Sequence, residues 1–73
     1  MHPDNAIDQA HRIVKLIDED VPEWAWDKAA EFFEDVRDSV CAVEDTITTT
    51  GRVTAAQQIA LDNWEESVCE WIR

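Results

Sequence analysis

The sequence predicts an all-α fold, a small three-helix bundle running up-down-up. Three observations predict it. Apolar residues recur every three or four positions through most of the chain, the period of a helix with one buried face. Interior punctuation is confined to Pro22 and Gly51, the only glycine. The connections left at those two points are short, which makes consecutive helices antiparallel neighbours. The same segments allow an alternative, a hairpin of the second and third helices that pairs with another copy, the first helix packing across it. Seventy-three residues make one domain, residues 1–73, with a core that is marginal at this size unless it is stapled or oligomeric.

The first helix is expected over about residues 5–20. Ile7, Ala10, Val14, Ile17 and Val21 alternate by three and four, and Ala6 and Ile13 widen the stripe, as on a core-facing helix. Asp4 or Asn5 can cap its start. Pro22 ends it by pushing the preceding residue out of helical geometry, and can itself open the next helix, where a missing N–H costs nothing. The second helix is expected over about 23–46. Trp26, Ala29, Phe33, Val36, Val40, Val43 and Ile47 keep the alternation without a miss, with Ala30 and Phe32 beside the seam. It should stop within "TITTTG", where β-branched residues lose side-chain freedom and Gly51 can take a left-handed turn. The third helix is expected over about 54–72. Thr54 followed by Gln57 has the spacing of a capping box, and Leu61, Trp64, Val68 and Trp71 form a seam with Ala60 and Ile72 alongside.

Charge narrows the function. Seventeen acidic residues against six basic ones give a net charge of −11. Binding a duplex by neutralising phosphates needs the opposite sign, and anionic membrane surfaces are disfavoured for the same reason. The N-terminal "MHPDNAIDQA" has neither a basic nor an apolar leader segment, and no apolar run approaches membrane-spanning length. A cytoplasmic location is expected.

Chemistry is sparse. His2, His11, Cys41 and Cys69 show no paired metal-ligand spacing, and there is no glycine-rich phosphate loop or calcium loop. Neither catalysis nor a cofactor or metal is expected. In a hairpin turning at Thr49 or Thr50 the two cysteines lie at levels roughly 15 Å apart, beyond disulfide reach, and read as small semi-buried hydrophobes. Trp26, Trp64 and Trp71 belong to seams. Trp24 falls outside the helix 2 seam, where it can anchor a partner or join a local aromatic cluster with Trp71 and Ile72. Ile59 lies nearly opposite the helix 3 seam.

The acids repel one another along the helices. Asp27–Glu31, Glu31–Asp35, Glu34–Asp38, Asp62–Glu66 and Glu66–Glu70 are like-charge pairs four residues apart. Each costs a few tenths of a kcal/mol, about 1–2.5 kcal/mol in all. That is a burden on a chain whose stability is expected to be ~4–10 kcal/mol, and Asp8–Arg12 and Lys15–Glu19 offset only part of it. Residues 22–47 hold eight acids against Lys28 and Arg37. Three explanations compete: a solvated or salt-adapted face, a negative surface that docks on a positive one, and a partner helix whose specificity the acids supply. On the second, Asp27, Glu31, Glu34, Asp38 and Asp45 make a stripe, with Asp35 beside it, whose steps of about 5–6 Å per turn are comparable to the phosphate repeat of a nucleic-acid strand.

The stretch "GRVTAAQQIALDNWEESVCEWI", following the aromatic "AAEFFEDV" helix, resembles helical hairpins of small proteins encoded by phages and mobile elements. Short, acidic, all-helical inhibitors, among them anti-CRISPR proteins and nucleic-acid mimics, share this size and charge. The resemblance covers residues 26–72, rests on style rather than on a family motif, and carries over no functional residue. It implies a non-enzymatic protein that docks on a basic, nucleic-acid-binding surface of a target such as a CRISPR effector. The partner-binding residues would be Asp27, Glu31, Glu34, Asp35, Asp38, Asp45 and Trp24. The alternative is a structural or regulatory helical module that forms a homodimer or pairs with a partner chain, its acidity serving solubility.

Overall fold

The computed structural model describes residues 2–73, which form three helices: α1 (Pro3–Lys15), continued by a π turn (Leu16–Asp20), α2 (Glu23–Thr50) and α3 (Ala55–Ile72). α1 begins earlier than expected. Pro3 sits at the first helical position, where its fixed φ favours a helix. The cap is therefore His2 rather than Asp4 or Asn5: its backbone is extended (φ −85°, ψ 124°) and its Nδ1 accepts the Asp4 N–H at 3.3 Å.

The buried stripe of α1 is Ala6, Ala10, Ile13 and Ile17, with Gln9 among them, while Ile7 and Val14 lie half-buried at its edge. A regular α-helix drifts sideways when apolar residues recur every fourth position, as they do at Ile13, Ile17 and Val21. The wider π turn, closed by the Val21 N–H on the Leu16 carbonyl at 3.1 Å, sets that drift back and keeps all three in the core. Val21 is then extended (φ −71°, ψ 123°), as a residue before proline must be. Pro22 caps α2 (φ −69°, ψ 155°) instead of entering it.

α2 runs to Thr50, four residues past the expected end. Its threonines turn their hydroxyls back onto the helix: Thr46 Oγ1 donates to the Ala42 carbonyl at 3.1 Å and Thr50 Oγ1 to the Thr46 carbonyl at 2.9 Å. Gly51 stops it at φ 70°, its N–H closing on the Ile47 carbonyl at 2.8 Å. α2 is also kinked at Ala29 (φ −143°, ψ 39°). A straight helix of 28 residues would be about 42 Å long, whereas the longest dimension of the whole molecule is 37 Å. α3 opens with the expected capping box: Thr54 Oγ1 accepts the Gln57 N–H at 3.1 Å and Gln57 Oε1 accepts the Thr54 N–H at 2.9 Å.

Contacts between helices fix the topology. His11 meets Glu44 and Asp18 meets Arg37, so α1 and α2 are antiparallel. Gln9 meets Asp62 and Arg12 meets Glu65, so α3 runs with α1. This is the up-down-up bundle. Its core is Ala6, Ala10, Ile13, Ile17, Val21, Ala25, Phe33, Val36, Val40, Ile47, Leu61 and Val68. At the α2 N-terminal end Phe33 is ringed by Trp26 and Phe32, each 5.2 Å away between centroids, and by Trp71 at 5.7 Å. The accessible surface, 4654 Å², matches the ~4,600 Å² of a compact monomer of this mass. Among the described residues only Trp24 and Ile59 are large hydrophobics left exposed. Both cysteines are free. Cys69 is half-buried as expected, but Cys41 is exposed, because it lies a third of a turn from the buried Val40 on the outward side of α2.

Candidate interaction surface

The kink at Ala29 divides α2 into a short opening turn and a long straight arm, and the acids follow that division. On the arm, the residues that face the bundle are Phe33, Val36, Val40 and Ile47. Helical periodicity then sends Glu31, Glu34, Asp38 and Asp45 to the opposite side, with Asp35 beside them, and all five are exposed. Asp27 and Trp24 are exposed too, but they precede the kink and do not lie in line with the row on the arm. Of the seven expected partner-binding residues, five thus lie on the arm after the kink and two, Trp24 and Asp27, before it.

These acids differ from the ones that join one helix to another by what they touch. Glu65 is held by Arg12, Nε to Oε2 at 2.6 Å and NH2 to Oε1 at 3.1 Å. Asp18 receives Arg37 NH1 at 3.1 Å, and Glu44 receives His11 Nε2 at 2.6 Å. By contrast, Asp27, Glu31, Glu34, Asp35, Asp38 and Asp45 have no side-chain hydrogen bond or ion pair among the described residues. The expected local pairs Asp8–Arg12 and Lys15–Glu19 do not form as ion pairs. Arg12 reaches across to α3, where a carboxylate accepts both of its nitrogens in a fork.

The polar centre that the sequence reading missed is Gln9. It is the buried polar residue of the bundle, 7% exposed. Its Nε2 donates to Asp62 Oδ1 at 2.8 Å and Glu65 Oε1 at 3.1 Å, and its Oε1 accepts Gln58 Nε2 at 2.7 Å. Gln58 also donates to Asp62 Oδ1 at 2.9 Å. The Gln9 and Gln58 amides hold the Asp62 carboxyl below its ordinary pKa, Gln9 contributing most. The Arg12 hydrogen bond is the main cause that lowers Glu65, and the same bond raises Arg12. A signal was available: Gln9 falls on the stripe between Ala6 and Ile13, so its side chain had to be buried and therefore partnered.

Trp24 sits between its two expected roles. One side of the indole packs on Trp71, with centroids 6.0 Å apart and planes tilted by 49°, yet the residue remains 54% exposed. Ile59 is 60% exposed near the far end of the bundle. An open cleft of about 340 Å³ lies beside the α2–α3 connection, lined by Thr46, Thr50, Arg52, Val53, Thr54 and Gln57. Its lining has no carboxylate, histidine or cysteine that could serve as a general base. Among the described residues, no group of three or more His, Cys, Asp or Glu side chains is placed to hold a metal ion, and no helix is long and apolar enough to cross a membrane. No family model, curated protein or solved structure matches this chain.

Proposed function

We propose that this chain is a non-enzymatic, cytoplasmic interaction protein whose acidic α2 face docks on a basic, nucleic-acid-binding surface of a target protein. Inhibitors of the kind carried by phages and mobile elements, with a CRISPR effector as one target, fit this reading. One observation supports it above the rest: six acids without a side-chain partner among the described residues lie on the outward side of one helix, α2. Where a carboxylate stabilises the fold, it meets Arg12, Arg37, His11 or Gln9. Along the outward side of α2 the acids have no side-chain partner among the described residues, although they repel one another at a cost the fold must offset. A basic partner relieves that repulsion on binding, and the negative surface speeds the encounter. The row of carboxylates, spaced by single helical turns, presents charge as a nucleic-acid backbone does.

The test is capture of targets from a cell lysate by the tagged chain, at about 0.1 M and about 0.5 M salt. Between these the screening length falls from ~10 Å to a few ångströms. Nucleic-acid-binding proteins should be retained at the lower salt, lost at the higher, and displaced by added duplex DNA. The triple variant Glu31→Lys, Glu34→Lys, Asp38→Lys should keep its helical circular dichroism, because none of the three side chains has a partner in the fold, and should capture none of them. Unchanged capture by the triple variant refutes the reading. Recovery of the chain itself, or of a helical partner that survives 0.5 M salt, points instead to a self-associating or pairing module.

A further inference from the structure

Trp24 presents an unexplained combination: an indole more than half exposed that is nevertheless held firmly from behind. It rests on Trp71, Trp71 meets Phe33 edge-on at 71°, and Phe33 is fully buried. Trp24 is therefore backed on one side by rings that lead into the core, while its other side stays open to solvent. Among the described residues the ring contacts are between aromatic side chains, and no cation of those residues sits on the open face. Its surroundings are negative on balance. Residues 18–28, "DEDVPEWAWDK", hold five acids and one base, Lys28, and Arg73 follows Trp71 and Ile72 at the end of α3. Of these acids, Asp18 is taken by Arg37, while Glu23, next to Trp24 in sequence, and Asp27, one turn beyond it, are exposed and have no ion pair among the described residues.

We propose that Trp24 is the seat for an arginine side chain of the basic partner, with Glu23 and Asp27 as its counter-charges. The inference rests on the acidic-face reading and adds the chemistry of one contact to it. The face of tryptophan is the best of the aromatic surfaces for a cation. A guanidinium suits it better than an ammonium, since it is planar, stacks flat, is weakly hydrated, and keeps its N–H edges free for flanking carboxylates. An apolar occupant would gain from the ring but would leave the carboxylates beside it without partners. The seat lies before the Ala29 kink and the carboxylate row lies after it. The partner would therefore present an arginine set off from the basic groups that meet the row.

Nuclear magnetic resonance of the isotope-labelled full chain tests this, using hexa-arginine, hexalysine and a neutral leucine-containing peptide as probes at about 0.1 M salt. Comparison with Trp24→Phe assigns the Trp24 indole N–H among the four. With hexa-arginine that signal should shift more than the other three, and hexa-arginine should bind more tightly than hexalysine. Trp24→Ala should weaken hexa-arginine by roughly two- to fivefold, the worth of an exposed cation–π contact, and should remove the preference over hexalysine. The Glu31→Lys, Glu34→Lys, Asp38→Lys variant should weaken both basic peptides and leave the preference in place. Should Trp24→Ala not fold, the wild-type shifts decide alone. A silent Trp24 signal while backbone amides of the α2 arm respond overturns the arginine seat and leaves the acidic-face reading standing. An equal Trp24 shift with the neutral peptide also overturns it. Binding of neither basic peptide overturns both.

Discussion

Gln9→Ala tests how the bundle is held together. The amide of Gln9 joins α1 to three side chains of α3, two of them carboxylates, at 2.7–3.1 Å, from a site that is 7% exposed. Hydrogen bonds to charged groups contribute about 1.5–3 kcal/mol each and neutral ones about 0.5–1.5 kcal/mol, but these cannot simply be added. Gln58 and Asp62 keep their own bond at 2.9 Å, Glu65 keeps Arg12, and all three lie near enough to solvent to rehydrate. A net loss of about 2 kcal/mol is expected, a fifth to a half of the ~4–10 kcal/mol available to a chain of this length. At roughly 4–8 °C per kcal/mol for a domain of this size, the thermal midpoint should fall by about 8–16 °C. Circular dichroism at 222 nm follows it, with Asn5→Ala as a control: Asn5 lies one turn earlier on α1, is exposed, and should move the midpoint by less than ~3 °C. A Gln9→Ala midpoint within ~3 °C of wild type would refute the reasoning and mean that α3 is held to α1 by apolar contact alone.

Acid should weaken the same junction. The carboxyls of Asp62 and Glu65 are held below their ordinary values, so the unfolded chain binds more protons than the folded one. The stabilisation is present above the ordinary carboxylate range and is lost as pH falls through the folded values. The gap in midpoint between wild type and Gln9→Ala should therefore narrow between about pH 6 and about pH 3, and a gap independent of pH would contradict the assignment. Gly51→Ala should lower the midpoint by about 4–8 °C, for a cost of about 1 kcal/mol. The backbone there is left-handed at φ 70° while nothing lies within 4 Å of an added Cβ, so the cost is conformational, and Gly51→Asn should recover part of it.

Much of this architecture was legible in the chain itself. Hydrophobic period, Pro22, Gly51 and the Thr54–Gln57 box are local signals, and each acts through its own backbone. They therefore determined three helices, their approximate ends and part of the core, although Ile7, Val14, Trp26, Ala29, Val43, Trp64 and Trp71 of the expected seams are only half-buried. The acids were legible as a row for the same reason, since residues three and four apart on a helix must share a face. Tertiary structure decided which polar groups found partners. Arg12 had Asp8 one turn away and took Glu65 instead. Gln9, unremarked in the sequence, is the junction between two helices. Trp24 was assigned either to a cluster or to the surface and belongs to both, because Trp71 reaches it only once α3 has returned to the start of α2. The π turn at Leu16–Asp20 likewise arises where a local period must be reconciled with a neighbouring helix. Periodicity fixes which side of a helix is buried. The partner of a buried or charged group depends on the register between helices, which residues distant in sequence set together.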